Sequence, residues 1–328
     1  MGRKERERYK ANERVSDLLQ KDELTVTEIE ELRSYSGYGG LDSWGQNRGQ
    51  FYTPGVVGEF IARVLALPKG ARILEPMAGI GRLIWPYSDG YDVTAVEIDG
   101  VAAEALRKLM PNAKVIHGGI EDALVGEGYA GLIANPPFGV QAQSPVPWGK
   151  AARHRRMEAW VALLASRVVR PGGLVALIEP DGMLNMDSWA PWREWVASAF
   201  LLRASISLPL ATFYHSGTSV STSILVLQKP EAPVEAYGNY RVFFATAADI
   251  GWDSRGRATG HNDLLDLAEK IEQWGNLRLP KPSELTPDVS AADARLAATG
   301  TEGSVAPPVD DPALQRRKQM EFIQIDLW

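Results

Sequence analysis

Apolar and polar positions alternate along the chain in two periods, and the switches between them mark out the elements. Short apolar runs at 71–75, 92–97, 113–117, 130–134, 173–179, 203–208 and 221–228 predict strands. Helical spacing predicts helices over 55–67, 100–109, 155–170 and 188–200. Between Phe51 and about Lys229 strands and helices take turns, which predicts an α/β, doubly wound sheet. Residues 1–34 predict two polar helices anchored by Leu18, Leu19, Ile29 and Leu32, and Thr25 with Glu28 has capping-box spacing. Residues 231–280 predict a small α+β appendage with a helix at 262–274. From Lys281 onwards Pro, Ala, Asp, Thr and Gly dominate without an apolar period, and the expectation is a flexible linker and tail over 281–328. The organisation is therefore 1–50, a main domain at 51–230, 231–280 and 281–328.

With 328 residues, 45% of them hydrophobic, the chain can bury a sizeable core. No run approaches the ~20 apolar residues of a membrane span, and the N-terminus is charged from Arg3 onwards, so the expectation is a cytoplasmic protein without a membrane partner. Cysteine is absent, which excludes disulfides and thiolate-bound zinc; four scattered histidines form no metal motif, and no metal is expected. The net charge is -6, yet Lys150, Arg153, Arg155, Arg156, Arg167 and Arg170 face only Glu158 within 147–170. That local excess suits phosphate contact by Lys150, Arg153, Arg155 and Arg156; a solvated helix face is the alternative.

The chemistry concentrates in two turns. Ala71 to Gly81 runs from an apolar strand into a glycine turn, where Gly79 and Gly81 let a ligand approach the backbone. The next strand ends in Glu97, about twenty residues on, the spacing at which a carboxylate takes ribose hydroxyls. A nicotinamide cofactor would fit these two features equally well. Asn135-Pro136-Pro137-Phe138 changes the balance. An exocyclic amine on a base is a poor nucleophile because its lone pair is delocalised. The Asn135 side-chain oxygen and the Pro136 carbonyl, aimed at its hydrogens, would draw that pair back to nitrogen, so geometry replaces a strong base. Phe138 offers a face for an unstacked base, and Pro137 stiffens the loop.

Taken in order, Glu75-Pro76-x-Ala78-Gly79-x-Gly81, Val96-Glu97-Ile98-Asp99 and Asn135-Pro136-Pro137-Phe138-Gly139 resemble the motifs of S-adenosylmethionine-dependent N6-adenine DNA methyltransferases. The upstream Gln50-Phe51-Tyr52-Thr53-Pro54 resembles that family's N-terminal cofactor motif and gives the gamma-type order. Phe213 to Leu227 resembles its closing hairpin, while Tyr35 to Leu41 and Ile250 to Asp253 look like phage and mobile-element versions. The resemblance covers about residues 35–265. It implies a Rossmann-like, seven-stranded methyltransferase sheet and S-adenosylmethionine as cofactor. DNA is the implied substrate, with base flipping and N6-adenine methylation of a site-specific or low-specificity kind, as in restriction–modification.

The resemblance also implies roles. Glu97 would take the cofactor ribose and Ile98 cover its adenine. Ala78, Gly79 and Gly81 would lie beside the methionine portion, Glu75 would hold its ammonium, and Tyr52 and Thr53 would close over it. Many relatives carry an aspartate after the third strand; here Glu121 is the candidate, with Asp122 second. Asn135, Pro136 and Phe138 would orient and stack the target base. His215, Ser216 and Thr218 would line the pocket or form an ordinary turn, and Trp148 would fill the gap left by a flipped base or simply pack. Gln324 to Trp328 resembles a sliding-clamp-binding peptide, or else packs on its own domain. Alternatives to DNA adenine are RNA or a protein amide as acceptor, and a modification subunit that needs a specificity partner.

Overall fold

The computed structural model describes residues 13–35, 52–123, 126–141, 156–216, 220–275 and 277–284. Two short helical segments open it, at 13–19 and at α1 (Val26–Arg33). The capping box expected at Thr25 and Glu28 is formed, with each side chain bonded to the other's backbone N–H. The Gln324–Trp328 peptide, Trp148 and Thr218 lie outside the described residues.

The main domain then alternates as the apolar pattern predicts. Helix α2 (Gly55–Leu65) leads into β1 (Arg72–Glu75), followed by β2 (Asp92–Glu97), α3 (Gly100–Leu109) and β3 (Lys114–His117). After β4 (Tyr129–Ala134) come α4 (Met157–Val168), β5 (Val169–Pro180), α5 (Asp181–Asn185), α6 (Ala190–Ala199), β6 (Leu201–Leu208) and β7 (Thr222–Gln228). The strand order is β3-β2-β1-β4-β5-β7-β6, with β7 antiparallel to both its neighbours and the earlier pairs parallel. Every residue of β4 and β7 is buried, as a sheet covered on both faces requires.

In one respect the sheet differs from expectation. Among the described residues it has eight strands rather than seven, because β8 (Phe243–Thr246) pairs parallel with β6 from Ala204–Phe243 to Ser207–Thr246. An unpaired β6 would leave a row of backbone groups open, and β8 satisfies them. A separate hairpin of β9 (Ile250–Trp252) and β10 (Ala258–Asn262) follows, then α7 (Asp263–Trp274). Helix α7 packs on α2, and Glu272 accepts from Arg63 Nε and Nη2 at 2.6 and 2.8 Å.

The alternation of β5 divides the core. Leu174, Ala176 and Ile178 join α2 and α7 on one face, while Val175 and Leu177 join α4 and α6 on the other. A smaller cluster seats Leu18, Leu32 and Tyr35 against Tyr52, Ile80 and Ala105. This anchors the N-terminal segment beside the carboxyl ends of β1 and β2, where ligands bind in open α/β sheets.

Candidate active site

At the end of β1 the chain turns through Gly79 (φ +54°) and Gly81 (φ +82°), a backbone region closed to most side chains. The two glycines serve different ends. A Cβ on Gly79 would lie 2.8 Å from Tyr52 Cε1, so its absence lets the buried Tyr52 ring close over the turn. A Cβ on Gly81 would lie 2.5 Å from Leu106 Cδ1, so this glycine seats the turn against α3 and is not part of the cavity wall.

That cavity, of about 750 Å³, opens at the carboxyl ends of β1, β2, β3 and β4. Its lining brings together Tyr52, Thr53, Glu75, Ala78, Gly79, Glu97, Ile98, Glu121, Asn135 and Pro137. Sequence reading missed Arg82, Leu83, Val140 and Met157, which also line it. Arg82, Leu83 and Val140 adjoin a motif in the chain, whereas Met157 is brought to the cavity only by folding, as the first residue of α4.

The electrostatics are those of a buried acidic floor. Glu97 is nearly buried; its Oε2 accepts from Gly79 N at 2.6 Å and its Oε1 from Asp99 N at 2.7 Å. Burial pushes its carboxyl up, against the pull of those N–H groups. The N–H of Ile98 also lies against it, and of the roughly four lone-pair positions of a carboxylate some remain for hydroxyl donors. Glu75 is fully buried, its Oε2 has no hydrogen-bond partner, and burial followed by the charge of Glu97 raises its carboxyl well above the usual range. An acid in that state is a ready partner for a cation. Ile98 at the rim is 68% exposed, an apolar surface suited to the face of an aromatic ring. After β3, the Asp122 carboxylate accepts from Gly119 N at 2.9 Å, while Glu121 lies beside it on the cavity wall.

The Asn135 tetrapeptide leaves β4 on the same edge. Asn135 Nδ2 donates to Thr53 Oγ1 at 2.9 Å, which joins the motif before α2 to the motif after β4. Pro136 and Phe138 are not part of the cavity wall; the Phe138 ring meets Phe213 edge-on, centroids 6.2 Å apart. Gly139 N donates to Glu158 Oε1 at 2.7 Å, Met157 N donates to Val140 O at 3.0 Å, and Gln141 forms an antiparallel bridge with Arg156. Of the four basic residues expected to contact phosphate, Lys150, Arg153 and Arg155 lie outside the described residues. Arg156 is exposed, with its guanidinium 5.6 Å from the centre of the Trp189 ring.

No protein-family model matches the chain. It is 26% identical over 175 residues to the Type II methyltransferase M.TthHB8I of Thermus thermophilus, a match spanning 47% of this chain and 39% of that protein. The chain thus spans well under half the length of this relative. Among solved structures it resembles a candidate class I S-adenosylmethionine-dependent methyltransferase from Listeria monocytogenes, with TM-score 0.58 and 18% identity. That likeness covers 80% of this chain and 90% of the other. It also resembles the M protein of the Type I restriction enzyme EcoKI, with TM-score 0.56 and 16% identity over 86% of this chain and 66% of that one. The strand order, the antiparallel β7 and these likenesses agree: the chain has the Rossmann-like fold of the class I S-adenosylmethionine-dependent methyltransferases.

Proposed function

We propose that the chain methylates the N6 amine of adenine in DNA, with S-adenosylmethionine as methyl donor. The observation that carries this reading is one cavity shared by the Glu75–Gly79 turn, Glu97 and Asn135. The residues fit the donor: Glu75 is a buried acid with an unpartnered oxygen for an ammonium, Glu97 has lone pairs left for ribose hydroxyls, and Ile98 offers an apolar rim. When bound, the donor supplies an electrophilic methyl group on sulfonium.

The chain's own residues do the rest. Asn135 Oδ1 and the Pro136 carbonyl accept the two amine hydrogens and turn the nitrogen lone pair towards the cavity. Thr53 holds the amide of Asn135 in the orientation that leaves Oδ1 as acceptor. Phe138 offers a ring to a flipped-out base, and Arg156, with Lys150, Arg153 and Arg155, takes the flanking phosphates. Glu121 faces the adenine end of the donor.

The EcoKI M protein, which carries EC 2.1.1.72, favours adenine as target. A second reading keeps the site and adds a partner. The chain resembles, at TM-score 0.57, a modification subunit of a candidate Type I restriction enzyme from Vibrio vulnificus, which favours a modification subunit whose sequence choice lies in another protein. RNA adenine or a protein amide would be oriented by the same acceptors.

The test is transfer of labelled methyl from S-adenosylmethionine to unmethylated DNA, with mass spectrometry of the nucleosides. N6-methyladenine that disappears in Asn135→Ala, with donor binding retained, is the expected result. Donor binding without any DNA product, alone or with a partner subunit, would overturn it.

A further inference from the structure

Directly behind the acceptor loop lies a buried acid that the proposed reaction does not use. Glu158, the second residue of α4, is 1% exposed. Its Oε1 accepts from Gly139 N, the residue after Phe138, and its Oε2 is buried without a hydrogen-bond partner. Gly139 has φ +74°, and a Cβ there would meet nothing within 4 Å. The glycine is therefore required by backbone conformation and not by space. A left-handed turn of this kind has other conformations open to it unless its N–H is held.

The hold is costly. A carboxylate taken out of water for the Gly139 N–H and its own backbone N–H loses much of its solvation, and an apolar residue in that helical position would pack at less expense. Two further titratable groups face it: the fully buried Glu179 of β5, which disfavours a second negative charge beside it, and Arg156 in the preceding turn, which favours one. Met157 and Arg156 already tie the next two loop residues to α4 through the backbone, so closing the loop does not require Glu158. What its bond adds is control of the peptide that follows Phe138.

We propose that Glu158 is a positioning residue for methyl transfer: by holding Gly139 N–H it fixes the turn from which Asn135 and the Pro136 carbonyl meet the acceptor amine. This rests on the proposed acceptor chemistry, although Glu158 itself touches neither donor nor base. An oxygen acceptor is what the position needs. Glu158→Gln keeps one in the same place, whereas Glu158→Ala removes it.

The experiment compares wild type, Glu158→Ala and Glu158→Gln in three measurements: donor affinity, kcat and KM for DNA methylation, and amide hydrogen exchange across 135–141. In Glu158→Ala, kcat should fall by about tenfold or more at unchanged donor affinity, with faster exchange at Gly139. Glu158→Gln should restore both. Wild-type kcat and exchange in Glu158→Ala would overturn the proposal, as would a folded Glu158→Gln that fails to slow exchange. If wild type methylates no DNA, the acceptor reading falls by itself, and exchange at Gly139 still decides whether Glu158 holds the loop.

Discussion

Asn135 and Thr53 lie 82 positions apart in the chain and are joined by one hydrogen bond, from Nδ2 to Oγ1 at 2.9 Å. The bond occupies the donor end of the amide, and so would present Oδ1 to the proposed acceptor amine. Thr53→Val keeps the shape and removes the acceptor. A neutral hydrogen bond is worth about 1 kcal/mol, so methyl transfer should slow by about five- to tenfold, with donor affinity little changed. Thr53→Ser should retain most activity. Steady-state kinetics of the two variants checks this, and equal rates for Val and Ser would exclude the orienting role.

Glu75 predicts a proton released on donor binding. Burial and then the charge of Glu97 raise its carboxyl well above 4.5, so the empty site favours the protonated form more than water does. An ammonium placed against it favours the charged form and expels the proton. Calorimetry of S-adenosylmethionine binding in buffers of different ionisation enthalpy should therefore show proton release, and affinity should rise with pH. Glu75→Gln should bind more weakly and lose the buffer dependence.

Glu179 predicts an opposite slope for stability. It is fully buried on β5, neither oxygen has a hydrogen-bond partner, and burial raises its carboxyl well above 4.5. In the unfolded chain it ionises near that ordinary value. Its contribution is thus fully present below about pH 4.5 and is lost as pH rises towards the folded-state value. Glu179→Gln, neutral at every pH, should gain on wild type between pH 5 and pH 8 in urea unfolding. A gap that does not change with pH would mean that the carboxyl titrates normally.

Arg203 predicts where the end of the described chain detaches. Its buried guanidinium donates to Leu277 O at 2.6 Å and to Arg241 O at 2.8 Å, lies near the rings of Tyr240 and Trp274, and is lowered by burial to about 10. Arg203→Met leaves two carbonyls without these donors and should cost about 2–3 kcal/mol. Limited proteolysis should then cut first within 240–279, ahead of the main sheet.

Most of the sheet could be read from the sequence because its central strands, β4 and β7 above all, are buried on both faces and so are written as short apolar runs. That the glycine turn, Glu97 and Asn135 share one cavity could be read because each stands where an apolar run ends, at the carboxyl end of a strand. The eighth strand could not: Phe243–Thr246 is four residues long, and only its pairing with β6 distinguishes it from an appendage. Nor could the two roles of Gly79 and Gly81, which depend on Tyr52 and Leu106, residues brought near by folding. Glu158 and Glu179 read as ordinary polar letters, and Glu158 was counted only as the one acid among clustered arginines. Nothing in a one-dimensional pattern marks a carboxylate as buried.

The bridge between Gln141 and Arg156 fixes both ends of the intervening segment at one point of the scaffold. Closing a longer loop across a fixed gap costs little, about 0.6 kcal/mol for each doubling of length. The position of Asn135 is therefore set from anchors in the scaffold itself, Gln141 on one side and Arg156 on the other, and a change of chain length between them would weigh little on it.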